Sequence, residues 1–146
     1  MGAPASSEEH YDGIFRVCNN MVPVGHPDFS LANGVSASTA PMSYFMTKFG
    51  QQQFDVESWK TTLIFGPKHG ELVPDSRYPN SSYIYHPNEG YLGIDQMTFT
   101  VEAQGKKFRV FYSVHVGKAA PEYGSCPDDG VEELPNPTMN ARDSGY

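Results

Sequence analysis

The sequence lacks the long apolar stretches and closely spaced cysteines from which many functions are recognised. No segment approaches the ~18 consecutive apolar residues that a membrane-spanning helix needs, and the start of the chain lacks the apolar core of a signal peptide. Charged residues make up 18% and apolar residues 38% of the chain, both below the averages for globular proteins. We therefore expect no membrane insertion, and one core of ordinary size in 146 residues.

Basic residues are few and scattered, whereas acidic residues are concentrated near the C-terminus. The chain has 10 Lys and Arg against 17 Asp and Glu, which gives a net charge of −7. Residues 119–146 contain six carboxylates and only Arg142 as a cation, so they hold most of this charge. The lysines form no stripe that could neutralise a phosphate backbone. We expect no nucleic-acid partner.

Only two cysteines are present, Cys18 and Cys126, and they lie far apart in the sequence. Their separation excludes a CxxC redox motif and a zinc knuckle. One alternative is a disulfide that ties the acidic C-terminal segment to the body of the protein, and the other is two free buried thiols. A disulfide would place the protein in an oxidising, extracellular or cell-surface setting, with its signal peptide removed.

The content of glycine, proline and aromatic residues is typical of β proteins. Apolar side chains recur at every second position in residues 97–101 and again in 108–116, which predicts two antiparallel strands with one face in the core. Gln104-Gly105-Lys106 provides the turn between them. Residues 43–49 fit both a strand and one amphipathic stretch of helix, and we expect a strand there. The other predicted strands cover 14–18, 59–65, 71–73 and 82–85.

Short strands separated by Gly and Pro, with no long apolar helix, predict an all-β fold in the form of a two-sheet antiparallel sandwich. The flanks have the polar composition of extended tails. We therefore divide the chain into a polar N-terminal arm (1–13), an immunoglobulin-like sandwich (14–118) and an acidic Pro-rich C-terminal tail (119–146). The tail is expected to run along its own body or a neighbouring chain as an edge strand.

Three segments in order carry a resemblance to a known family. They are Gly66-Pro67-Lys68-His69-Gly70-Glu71-Leu72, the stretch YIYHPNEGYLGIDQMTFTV that follows at 83–101, and the alternating strand at 108–116. These segments resemble bacterial immunoglobulin-like and cadherin-like repeats. Such repeats read roughly P-x-H-G-x-L, then Y-x-Y-x-P-x-x-G-Y-x-G-x-D-x-F-x-Y-x-V, then a last alternating strand. Met97 stands where the family usually has Phe.

The resemblance implies an immunoglobulin-like or cadherin-like sandwich in an extracellular protein, since such repeats occur in adhesins, surface-layer proteins and large secreted enzymes. It also implies a structural role for a corner formed by Gly90, Tyr91, Gly93 and Asp95. The glycines would supply backbone freedom, and Asp95 would accept backbone N–H groups across the corner with Tyr91 packed or bonded nearby. A catalytic Asp95 is the alternative that we consider weaker.

Members of this family often bind calcium at their junctions through an Asp-x-Asn-Asp type of cluster. Residues 14–35 contain only Asp28, so that cluster is absent and we expect no cofactor. Among the five histidines, only His69 and His86 are candidate metal ligands. They would face each other if Glu71 pairs with Ile84 in a hairpin, although no third ligand is placed nearby, and two solvated side chains are the alternative.

No catalytic constellation is present, because the chain has neither a G-x-S-x-G elbow nor a papain-like cysteine context. We therefore expect no enzyme. Three aromatic residues are candidate partner contacts: Tyr44, Trp59 and Phe111. Trp59 could stack on a sugar, but we expect it to belong to the core. Phe111 has the outward parity of its strand.

These observations favour a non-catalytic extracellular structural or adhesion module of a larger surface or secreted assembly. One alternative is a self-assembling subunit of a filament or shell, joined through its tails by strand addition. A second alternative is a carbohydrate-binding accessory domain. The expected partners are other proteins or copies of the chain itself and, for the last alternative, glycans.

Overall fold

The fold is mostly β, as a computed structural model describes it over residues 8–27, 33–117, 130–134 and 138–140. One α-helix occurs within these ranges, and it is too short and too polar to cross a membrane. In chain order the elements are β1 (Glu8–His10), β2 (Gly13–Met21), β3 (Gly34–Ser36), α1 (Thr39–Phe49), a 3₁₀ turn (Val56–Ser58), β4 (Lys60–Phe65), β5 (Gly70–Pro74), β6 (Ser82–Pro87), β7 (Gly93–Ala103), β8 (Lys106–Val116), β9 (Gly130–Glu133) and β10 (Thr138–Asn140).

Two sheets form the body of the described chain. The five-stranded sheet has the order β4-β7-β8-β2-β9, the three-stranded sheet has the order β3-β6-β5, and β1 pairs separately with β10. Neighbouring strands are antiparallel except for β2 and β8, which are parallel. The predicted all-β architecture with two sheets is confirmed, whereas the prediction of purely antiparallel pairing is wrong at the β2–β8 ladder.

The core lies between the two sheets and is supplied mainly by β7 and β8. The apolar residues that recur at every second position of these strands are all buried, and they pack with Val35 of β3 and Tyr85 of β6. Gln104 and Gly105 have φ values of 53° and 79° in the turn between the strands. Two successive positive φ values match the twist of a tight hairpin, so the predicted turn is confirmed.

Helix α1 occupies the segment where we predicted a strand over 43–49, and that prediction is wrong. Pro41 lies in the first helical turn, where a backbone N–H has no partner within the helix, so the missing N–H of proline costs no hydrogen bond. Gly50 ends the helix with a left-handed φ of 66°, and its N–H donates to the carbonyl of Met46. Phe45 faces the core and packs against Phe108, with ring centroids 5.6 Å apart. The helix ends thus outweigh the strand preference of the Tyr and Phe residues.

The outer face of β8 is covered as well as the inner one. Phe111 is fully buried and packs with Tyr11 and Ile14. Leu134 is partly buried and packs against this cluster. The parity that we assigned to Phe111 is right, but its prediction as an exposed partner contact is wrong because the segments before β2 and after β9 cover this face. Tyr11 therefore packs with the body, although it falls within the predicted arm 1–13.

Strand β9 places part of the predicted tail 119–146 on the body of the same chain. It runs antiparallel to β2 at the edge of the five-stranded sheet, with Val131 opposite Val17. The ion pairs Arg16–Glu132 and Lys48–Glu133 are both 3.7 Å long and lie at the surface, where each contributes about 0 to 1 kcal/mol. The described part of the tail thus provides the edge strand β9, and also β10, which pairs with β1.

The pairing of Cys18 with Cys126 stays a prediction, because Cys126 lies outside the described residues. Within those residues the chain has no free cysteine, and Cys18 lies partly buried on β2. We expect alkylation of the denatured protein without reductant to leave its intact mass unchanged, and prior reduction to allow two alkyl groups to be added. Two groups added without reductant would contradict the pairing and would favour a reducing compartment.

Candidate functional site

The carboxylate of Asp95 organises a corner between the two sheets. It lies on β7 with 3% of its surface exposed. One oxygen, Oδ1, accepts the backbone N–H groups of Lys68 at 2.8 Å and Gln96 at 3.0 Å. The other oxygen, Oδ2, accepts the backbone N–H of His69 at 2.9 Å and the hydroxyl of Tyr85 at 2.5 Å. The side chain therefore connects the β4–β5 segment with β6 and β7.

Tyr91 and two glycines shape the chain as it enters β7. The Tyr91 hydroxyl donates to the carbonyl of Ile94 at 2.5 Å, and its ring stacks on His69 with centroids 4.3 Å apart. Gly90 and Gly93 have φ values of 84° and 140°, which side-chain-bearing residues rarely adopt. A Cβ at Gly93 would also approach the Tyr91 hydroxyl oxygen to 3.0 Å. The four residues that we predicted as a corner thus lie together in one turn and its strand.

Burial at this corner raises the pKa of two phenols. Burial, reinforced by the hydrogen bond to Asp95, raises the pKa of Tyr85 far above its ordinary value. Burial and the Asp95 charge also raise the pKa of Tyr91. Both groups therefore remain hydrogen-bond donors at physiological pH. A carboxylate that already accepts four donors is suited to holding backbone in place rather than to proton transfer.

His69 and His86 do not face each other, so the predicted register is wrong. Glu71 pairs with His86 and Val73 pairs with Ile84, a shift of two residues. The cause is the turn between β5 and β6, which extends the hairpin and places Asp75 opposite Ser82. No group of three or more His, Cys, Asp or Glu side chains is placed to hold a metal in the described ranges.

Trp59 belongs to the core, as expected, whereas its alternative role as an exposed partner contact or sugar platform is wrong. Its ring lies 6.0 Å from that of Phe45 and 5.8 Å from that of Phe54. Tyr44 is only half-buried, and its ring lies 4.9 Å from Phe108. Of the three aromatic candidates, Tyr44 alone retains appreciable exposed surface.

An exposed apolar edge that was not predicted from the sequence lies at β4. This strand is at one edge of the five-stranded sheet, and its apolar residues Leu63, Ile64 and Phe65 are 40%, 36% and 40% exposed. The register with β7 shifts between Leu63 and Phe65. Such a bulge breaks the alternation of side chains and turns consecutive residues toward solvent. The sequence signal was the unbroken apolar run itself, which lacks the alternation of a half-buried strand.

The two edges of the five-stranded sheet differ in charge. The β4 edge is bordered by Lys60 and Lys68, both exposed, and residues 60–70 include no carboxylate. At the other edge, β9 exposes Val131 together with Glu132 and Glu133. An edge strand has a row of backbone N–H and C=O groups that another strand can pair with. The β4 edge is therefore flanked by exposed lysines, and the β9 edge carries two glutamates that also form the surface ion pairs with Arg16 and Lys48.

Neither a family model nor a curated protein sequence matches this chain. The interpretation of the site accordingly depends on its residues and their geometry.

Proposed function

We propose that this chain is a non-catalytic, extracellular structural module with immunoglobulin-like or cadherin-like topology, and that copies associate through the edges of the five-stranded sheet. The observation that carries the proposal is the β4 edge, where Leu63, Ile64 and Phe65 are exposed side by side. The partner of this edge is the acidic β9 edge of a second copy. The proposal thus unites a structural role with association by strand addition.

The strand order supports the topological part of the proposal. Immunoglobulin-type sandwiches place strands A, B, E and D in one sheet and strands C, F and G in the other. If β3 to β8 are taken as strands B to G, the three-stranded sheet reads B-E-D and the larger sheet contains C-F-G. Tyr91 then lies in the connection between E and F, where that fold has an aromatic corner.

The position of the two edges determines the kind of assembly. Because β4 and β9 are different surfaces, each joined pair leaves one edge of each kind unpaired, and the contact is head-to-tail rather than two-fold symmetric. Interfaces that bury less than about 1,200 Å² in total are typically transient, and pairing along a single strand edge is a small contact of this kind. We therefore expect weak association that grows with protein concentration and decreases as salt screens the Lys and Glu charges.

The variant Ile64→Lys should abolish this association. The new cation lies in the middle of the apolar edge, and a lysine on an edge strand opposes pairing with another strand. Because Ile64 is 36% exposed and the aliphatic stem of lysine can keep its contacts with the sheet, the free energy of unfolding should fall by no more than about 1 kcal/mol. Sedimentation velocity over a concentration series should show an average mass that rises for the wild type and stays at the monomer value for the variant.

Two further variants test whether the edge itself is responsible. Leu92→Lys changes an apolar residue of the loop before β7 that is 58% exposed, and it should associate like the wild type. Val131→Lys, on β9, should weaken association as Ile64→Lys does. A wild type that stays monomeric throughout would contradict the proposal. If Ile64→Lys abolishes association but Val131→Lys does not weaken it, the pairing of β4 with β9 is contradicted.

A further inference from the structure

A cleft of about 420 Å³ lies between the N-terminal end of α1, the 3₁₀ turn and the turn between β5 and β6. Its lining includes the apolar residues Met42, Phe54 and Val56 and several serines, among them Ser36 and Ser82. Asp55, Glu57 and Tyr78 line it as well, and all three are exposed. A cleft of this size accommodates a small ligand.

Hydrogen bonds between its walls hold the cleft in shape. The side-chain amide of Asn80 donates to the carbonyl of Glu57 at 3.1 Å, which joins the β5–β6 turn to the 3₁₀ turn. The N–H of Ala37 donates to the carbonyl of Ser81 at 3.1 Å, which joins the same turn to the segment before α1. Walls that are already fixed reduce the conformational entropy that a ligand must overcome on binding.

The β5–β6 turn presents the ring of Tyr78 to solvent, with 55% of the residue exposed. The carboxylate of Asp75 accepts the backbone N–H of Arg77 at 3.0 Å and its guanidinium at 2.9 Å. The N–H of Tyr78 donates to the carbonyl of Asp75 at 3.0 Å. These bonds restrain the backbone of the turn that carries the exposed Tyr78 ring.

The charge at the cleft restricts the ligands that it accepts. Asp55 and Glu57 form no ion pair with another residue of the described chain, so both carboxylates are available as acceptors. Together with a net charge of −7 they oppose an anionic ligand. An aromatic ring beside hydroxyl and carboxylate groups suits a ligand with an apolar face and hydroxyl groups that can donate.

We propose that this cleft binds a neutral saccharide unit. The C–H face of the sugar packs on the Tyr78 ring, and its hydroxyl groups donate to the carboxylates of Asp55 and Glu57. This site is separate from the β4 edge, so binding does not depend on association. The monomeric variant Ile64→Lys should therefore bind saccharide as the wild type does, and failure of one proposal leaves the other intact.

Trp59 provides a built-in reporter for the test. It is the only tryptophan of the chain, and its ring lies 5.8 Å from Phe54, which lines the cleft. Titration with maltotriose and with triacetylchitotriose should change its fluorescence for at least one of them, with a dissociation constant on the order of 1 mM. Saturation-transfer NMR should show saturation transferred from the protein to the C–H protons of the bound sugar.

Tyr78→Ala should weaken this binding about tenfold, because it removes the aromatic surface. The matched control is Phe49→Ala, an aromatic residue that is 59% exposed near the C-terminal end of α1, and its affinity should be unchanged. Circular dichroism should show that both variants are folded. Failure of both neutral probes to bind, or equal affinity in Tyr78→Ala and the wild type, would overturn the proposal.

The charge can be tested with an acidic probe of similar size. Trigalacturonate should not bind the wild type, and the double variant Asp55→Asn, Glu57→Gln should bind it measurably because the repulsion is removed. Binding of trigalacturonate by the wild type would overturn the assignment to a neutral sugar. The assignment would also be overturned if a glucosamine trimer, which carries amines, binds while the neutral probes do not. The cleft would then be a site for cations.

Discussion

Asp95→Ala should lower the free energy of unfolding by about 3 to 5 kcal/mol. The change removes an acceptor shared by the N–H groups of Lys68, His69 and Gln96 and by the Tyr85 hydroxyl. Leaving a buried donor unpaired costs about 1 to 3 kcal/mol, and some of these donors can recover a bond to water when the corner loosens. The β4–β5 segment also loses its attachment to β7, so association through β4 should weaken too.

The matched control for this prediction is Asp12→Ala. Asp12 has the same chemistry, because its carboxylate accepts the backbone N–H of Lys107 at 2.8 Å, but it is exposed to water. Its loss should cost less than about 1 kcal/mol. Urea unfolding followed by circular dichroism measures both variants. Equal midpoints for the two would contradict a structural role for the buried carboxylate.

Gly70→Ala should destabilise the fold by about 2 to 4 kcal/mol, which places it at the upper end of overpacking effects. A Cβ at this position would lie 2.4 Å from the carbonyl oxygen of His86 and 2.8 Å from the Cα of Pro87. Both atoms belong to the backbone of the paired strand β6 and cannot turn aside as a side chain does. Either the β5–β6 ladder or the core beneath it must shift.

Gly34→Ala is the natural comparison, since β3 is the other neighbour of β6 and no atom lies within 4 Å of a Cβ at Gly34. It should be neutral or slightly stabilising, because alanine restricts the unfolded chain. In a thermal melt, Gly70→Ala should lower Tm by roughly 10 °C and Gly34→Ala should not lower it. A similar loss in both would contradict the steric explanation.

The long hairpin was the part of the fold that the sequence predicted best. Alternation in β7 and β8 determines which residues face the core, and a tight turn at Gln104 and Gly105 follows from the short gap between the strands. Both are local properties of one segment. The Asp95 corner could be anticipated only from the resemblance, because its donors Lys68 and His69 precede it by more than twenty residues.

Other features depend on contacts that a periodic pattern does not contain. The parity of Phe111 indicates its face of the sheet, but whether that face is covered depends on Tyr11 and Leu134, which are distant in sequence. The bulge that exposes Ile64 is a property of the β4–β7 ladder and not of β4 alone. The two-residue shift of the β5–β6 register depends on the turn that contains Asp75, whose carboxylate accepts hydrogen bonds from Arg77. Helix α1 does have local signals, because Pro41 suits the first helical turn and Gly50 suits a left-handed end.

The position of β2 has a consequence for the synthesis of the chain. Gly13 pairs with Phe108, 95 residues later, and the other neighbour of β2 is β9, which is made later still. At translation rates of about 5 to 20 residues per second, the first long strand waits about 5 to 20 s for its neighbours. Its apolar residues Ile14, Phe15 and Val17 stay unpaired on the nascent chain during that time. Chains that terminate before β8 should therefore aggregate rather than fold in part.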